Sequence, residues 1–115
     1  MASPSCVSPA GYGGAVAAEA GVEVRTSAAC VAQVWREPAR QAKLARALRG
    51  FVEHSLGSTT ARRCGSLLAQ AGASDVVDAA LVLLVGGGDT VVTSDPGDIA
   101  RLLDAAGTRA RLRIV

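Results

Sequence analysis

The sequence predicts an α/β domain with a mostly parallel sheet. Three observations lead there. Strand-like and helix-like segments alternate along the chain, the order that builds a parallel sheet with crossover helices. Thr90–Thr93 is β-branched throughout, as expected of a parallel strand buried on both faces. Half of the residues are hydrophobic, mostly Ala, Val and Leu, which is a globular and not a disordered composition.

The elements follow in order. Residues 1–14 are rich in Ser, Pro and Gly, show no period, and read as a flexible leader ahead of a domain at 15–115. Residues 15–20 are Ala-rich and suit the end of a helix. Val22–Arg25 alternates as a short strand. Thr26 or Ser27 caps a helix to about Arg36. Pro38 suits a first helical turn, and Ala39–Leu48 forms a second helix closed by Gly50. Phe51–Leu56 is a further strand, and Ser58 or Thr59 caps a helix through Gln70 that Gly72 ends. Ser74 and Asp75 open an apolar helix to Val85, which Gly86–Gly88 breaks. Pro96 opens the last helix, to about Ala105 with Gly107 as its stop, and Ala110–Val115 alternates Arg with apolar residues as an edge strand.

Composition excludes several functions. One Trp, one Tyr and one Phe are too few for base-stacking platforms. Three scattered cysteines and the single His54, without a Cys-x-x-Cys, argue against a zinc site. Unpaired cysteines suit a reducing cytoplasm, and no basic residue precedes Arg25 to make a signal-peptide head. Ala79–Val85 is too short to cross a membrane. Gly86–Gly88 follows a helix and precedes a strand, the reverse of a phosphate-cradling loop, so it reads as a helix stop. His54 has no nucleophile motif nearby for a Ser–His–Asp arrangement.

Charge is segregated. Residues 25–63 hold eight basic and two acidic residues, whereas residues 64–100 hold five aspartates and no Lys or Arg. Four of those aspartates form two Asp-x-x-Asp pairs, Asp75 with Asp78 and Asp95 with Asp98. That spacing puts both members on one helical face, where like charges repel unless a cation sits among them. Hard oxygen ligands suit Mg²⁺ or Mn²⁺. Asp75 and Asp95 also suit helix N-caps, and the two roles do not exclude each other. In open α/β sheets ligands bind beyond the carboxyl ends of the strands, and Asp95 follows Thr93 by two residues, with Thr93 and Ser94 offering hydroxyls. On the basic side, Arg36, Arg40, Lys43, Arg46 and Arg49 recur every three or four residues, opposite Leu44, Ala47 and Leu48. No acid interleaves between Glu37 and Glu53, so the stripe suits phosphates as well as solvent. Arg40, Lys43 and Arg46 are its RNA-binding candidates.

Residues 26–50 (TSAACVAQVWREPARQAKLARALRG), 61–84 (ARRCGSLLAQAGASDVVDAALVLL) and 89–103 (DTVVTSDPGDIARLL) together resemble the PIN-domain ribonucleases, specifically the VapC-like toxins of bacterial toxin–antitoxin pairs. The strings ASDVVDA and VVTSDPGDI are the specific part. The resemblance implies a three-layer α/β/α sandwich and a Mg²⁺- or Mn²⁺-dependent RNA-cleaving enzyme of the cytoplasm, with an antitoxin as protein partner and a possible homodimer. It assigns Asp75 and Asp95 as metal-binding catalytic acids, Asp98 as an accessory acid and Asp78 as an additional carboxylate. The family's opening strand lies centrally in the sheet and brings one metal ligand; nothing in residues 1–24 matches its Leu-Asp motif, and Gln33 stands where the family often has Glu, with Glu37 one turn later. The sequence therefore predicts a PIN-like domain that is N-terminally incomplete and a weak nuclease, or one that keeps only antitoxin binding or self-association.

Overall fold

Five strands make one mixed sheet in the order β3-β2-β1-β4-β5. The computed structural model describes residues 5–9, 23–36, 38–94 and 96–114, and the side chains of 38–40 lie outside that description. Along the chain the elements are β1 (Cys6–Ser8), β2 (Val24–Ser27), α1 (Ala28–Val34), α2 (Pro38–Leu48) and β3 (Phe51–His54). They continue with α3 (Ser58–Ala71), α4 (Val76–Val82), β4 (Thr90–Thr93), α5 (Ile99–Ala106) and β5 (Arg111–Ile114).

Strand β1 corrects two expectations. The sequence reading placed no regular structure in residues 1–14 and left the centre of the sheet unfilled. Cys6–Ser8 instead forms the central strand and is buried at all three positions. It runs antiparallel to both neighbours, pairing Val7 with Arg25 of β2 and with Val91 of β4. The pairing is therefore mixed and not mostly parallel: β2 with β3 and β4 with β5 are the parallel pairs. Small side chains explain the fit. Both faces of a central strand are covered, and Cys, Val and Ser fill little volume there. Three residues are too few to show a period. The expected helix end at 15–20 lies outside the described residues.

The rest differs from expectation mainly at boundaries. Strand β2 runs on to Ser27, which is also the N-cap of α1: its side chain accepts a hydrogen bond from the Ala29 N–H at 3.1 Å. Helix α3 starts from Gly57 without a side-chain cap and ends on Gly72, whose φ of 67° is left-handed, a conformation glycine adopts without strain. Helix α4 stops at Val82, not Val85, because its last turn tightens: Leu84 and Val85 donate to carbonyls three residues back. Helix α5 starts at Ile99, after a turn in which Ile99 N–H bonds to the Pro96 carbonyl.

Residues on one sheet face alternate with those on the other. Val7 and Val91 pack with Cys30, Cys64, Leu81 and Leu102 in the main core, so α1, α3, α4 and α5 share that face. Cys6, Val24 and Val92 form a smaller cluster with Phe51 on the other. Helix α4 buries four consecutive residues, Ala79–Val82. A helix apolar all round belongs inside a core, and this one contacts α1, α3, α5 and β2.

Candidate functional site

Because β1 runs against its neighbours, its start lies beside the carboxyl ends of β2 and β4. A chain of hydroxyls joins the three strands there. Thr26 Oγ1 donates to the Ser5 carbonyl at 2.7 Å, and Ser5 Oγ donates to Thr93 Oγ1 at 3.0 Å. Thr26, Ser27 and Thr93 are all buried. Buried hydroxyls need such partners, so this chain holds the rim in one arrangement.

Two of the predicted aspartates reach this rim. Asp75 is the N-cap of α4, and its Oδ1 accepts from the Asp78 N–H at 3.1 Å. The start of α4 lies against the first turn of α1, where the Cys30 thiol approaches the Val77 carbonyl at 4.0 Å. Burial pushes that thiol up to about 11; hydrogen bonds from the Ser27 backbone and the Thr26 hydroxyl oppose the shift, and the charges of Asp78 and Asp75 add to it. Cys6 is likewise pushed up to about 11, first by burial and then by Cys30. Cys30, behind the N-cap Ser27, thus lies within electrostatic reach of Asp75 and Asp78, on the side of the molecule where the carboxyl ends of β2 and β4 lie and where ligands bind in open α/β sheets.

Asp98 belongs to the same side of the molecule, with a cation beside it. Arg101 approaches Asp98 at 3.6 Å and donates to the Gly72 carbonyl at 3.3 Å, tying the loop that leads to Asp75 onto the first turn of α5. The pair is solvent-exposed and contributes little to stability. Arg101 still answers part of the repulsion that the cation-free stretch 64–100 implied, from one residue beyond it. Asp95 lies outside the described residues, and so does its distance to Asp75. Asp89 is engaged elsewhere: at the opposite end of β4 its Oδ2 accepts from Arg25 and from the Gly86 N–H. The Gly86–Gly88 turn is thus pinned by Asp89 ahead of β4; it lies beyond the end of α4 at Val82 and is not the helix stop that the sequence reading made it.

Lys43 and Arg46 are exposed on α2, with Leu44 buried opposite, while the side chain of Arg40 is not among those described. Helix α2 packs on β3, the edge strand, so the stripe flanks the sheet two strands away from β1. Gln33 is exposed on α1, and Glu37 lies outside the described residues. Sequence reasoning missed Thr26, Ser27 and Cys30, because a hydroxyl or thiol gains meaning only from what the fold sets beside it.

Among the described residues, no group of three His, Cys, Asp or Glu side chains is placed to hold a metal ion. Asp75 and Asp78 remain as a pair. In its phosphate-bridging mode Mg²⁺ takes one or two carboxylates from a protein, and several waters and the substrate phosphate complete the shell. No helix among the described residues is long and apolar enough to cross a membrane. No protein-family model, no curated protein and no solved structure matches the chain.

Proposed function

We propose that this chain is a PIN-like, VapC-type endoribonuclease dependent on Mg²⁺ or Mn²⁺. The observation that supports it best is that Asp75 and Asp78 stand at the start of α4, packed against the first turn of α1, which follows directly from the carboxyl end of β2. Asp75 and Asp95 are the proposed catalytic acids, with Asp78 and Asp98 as accessory carboxylates. The capping bond from the Asp78 N–H engages one oxygen of Asp75, orients the carboxylate and leaves its other oxygen for a metal. A bound Mg²⁺ or Mn²⁺ supplies Lewis-acid activation of water and phosphate. Lys43 and Arg46, with Arg40, hold RNA phosphates. An antitoxin is the proposed protein partner, in the cytoplasm.

A second reading is favoured by β1. The central strand, which brings a metal ligand in the family resembled, carries Cys6, Val7 and Ser8 and no carboxylate. Under that reading the chain cleaves RNA weakly or not at all and keeps only association with an antitoxin or with itself.

Asp75→Asn separates the readings, because Asn caps a helix as well as Asp does. Incubated with a single-stranded RNA, the unaltered chain is expected to cleave slowly with Mn²⁺, to stop in EDTA, and to lose activity as D75N. Equal cleavage by D75N, or cleavage in EDTA, overturns the metal assignment. No cleavage by either protein with Mn²⁺ selects the second reading.

A further inference from the structure

Helix α3 carries two adjacent arginines that the candidate site does not use. Arg62 and Arg63 line an open depression of about 460 Å³ with Thr59, Ser66 and Gln70, over a floor of Leu67 and Leu83. No carboxylate lines it. The whole of α3 (STTARRCGSLLAQA) lacks an acidic residue, so neither arginine has the partner one turn away that a solvated helix face ordinarily supplies. No hydrogen bond or ion pair joins either guanidinium to another described residue. Both also sit in the second turn, toward the positive end of the helix, where cations gain nothing from the dipole.

Shape narrows the occupant. A small molecule is held by burying most of its surface. This depression has walls from α3 and one residue after α4, and it is open to solvent. A segment of a longer polyanion suits it better: the arginines take phosphates, Thr59, Ser66 and Gln70 donate to backbone oxygens, and the leucine floor accepts the uncharged part. The scarcity of aromatics argues against base stacking, so contacts to the backbone carry the binding. The direction of α3 connects the depression to the rim. Arg101 fixes Gly72, the end of α3, beside the loop to Asp75, so the polar face from Thr59 to Gln70 runs toward the proposed catalytic acids.

We propose that the α3 depression binds the phosphodiester backbone of a single strand, with Arg62 and Arg63 as its phosphate contacts. This deepens the nuclease reading by assigning the strand a path along α3, a different helix from the one that carries Lys43 and Arg46, and its test does not require cleavage.

Fluorescence anisotropy with a labelled single-stranded RNA and a DNA of the same sequence, in EDTA, reads the contacts directly. Each phosphate contact to a single strand contributes about 0.7 to the slope of log affinity against log salt. R62Q/R63Q is therefore expected to lower that slope by about 1.4. Between about 50 and about 200 mM salt, the unaltered chain then loses about sevenfold more affinity than the variant. Tighter binding of RNA than DNA identifies the strand as RNA, and equal binding leaves the shared phosphodiester as the ligand; either supports the proposal if the slope falls. An unchanged slope in R62Q/R63Q with an unaltered far-ultraviolet spectrum overturns it, as does absence of binding by the unaltered chain at low salt. Unchanged slopes with Mn²⁺-dependent cleavage intact sink this proposal alone. Lowered slopes without any cleavage sink the nuclease reading alone.

Discussion

Asp75 is the N-cap of α4 and, under the proposed function, a metal ligand as well. As an N-cap it was legible in the sequence, since Ser-Asp before an apolar run is a helix start and the bond to the Asp78 N–H follows from that geometry. Its approach to Cys30 was not legible, because that residue is more than forty positions away along the chain. The Arg25–Asp89 ion pair is a clearer case: it spans 64 positions and crosses β1, an element with no sequence signal of its own. At this scale the buried thiols give a pH test. Cys6 and Cys30 are raised from 9.0 to about 11 in the folded chain, chiefly by burial. Between those values the folded state holds protons that the unfolded state has released. Stability is therefore full below about 9 and falls as the pH rises through about 11. Urea midpoints across that window are expected to drop for the unaltered chain and to drop less for Cys6→Ala and Cys30→Ala. A midpoint that is flat with pH in the unaltered chain would show that the thiols do not titrate differently on unfolding.

Elements were punctuated in the sequence by glycine. Gly72 and Gly107 were read as helix stops and close α3 and α5 in left-handed geometry, at φ of 67° and 68°. A Cβ at Gly72 would meet nothing within 4 Å, so any penalty there comes from the backbone alone. Gly72→Ala is expected to destabilise the chain by about 1 kcal/mol, read as a lower denaturation midpoint at unchanged slope. A loss several times larger would mean that the Gly72 carbonyl bond to Arg101 had failed as well. Helix α4 ran past its observed end in the sequence reading, because Leu83–Val85 is as apolar as the helix; the turn that tightens there depends on where β4 must begin, which local pattern does not record. The edge strand β5 was legible from its Arg–apolar alternation, and all four of its residues are exposed.

For the whole molecule, β1 decides cooperativity. Among the described strands it alone joins the β3-β2 pair to the β4-β5 pair, so both halves of the sheet meet at three residues. Val7→Pro removes a ladder donor from the middle of that strand, where proline is not tolerated. The expected outcome is loss of a single cooperative thermal transition in the far-ultraviolet signal, together with self-association through the bared edges of β2 and β4. A variant that melts as one unit near the original temperature would show that the β3-β2 and β4-β5 pairs do not need β1 to hold together.

By itself the sequence determined the α/β class, the run of elements from β2 to β5, the N-caps Ser27 and Asp75, the stops Gly72 and Gly107, and the segregation of basic from acidic residues. Each of these is set by neighbours within one turn or one strand, so periodicity, capping chemistry and charge counts report it. Only the tertiary structure decided that Cys6–Ser8 is the centre of the sheet, that it runs antiparallel, that Ser5, Thr26 and Thr93 bond to one another at one rim, and that the start of α4 packs against α1. Those facts rest on pairings between residues far apart in the chain, where the energy lies in burial and in hydrogen bonds between strands, and a strand of three small residues carries no local pattern to announce either.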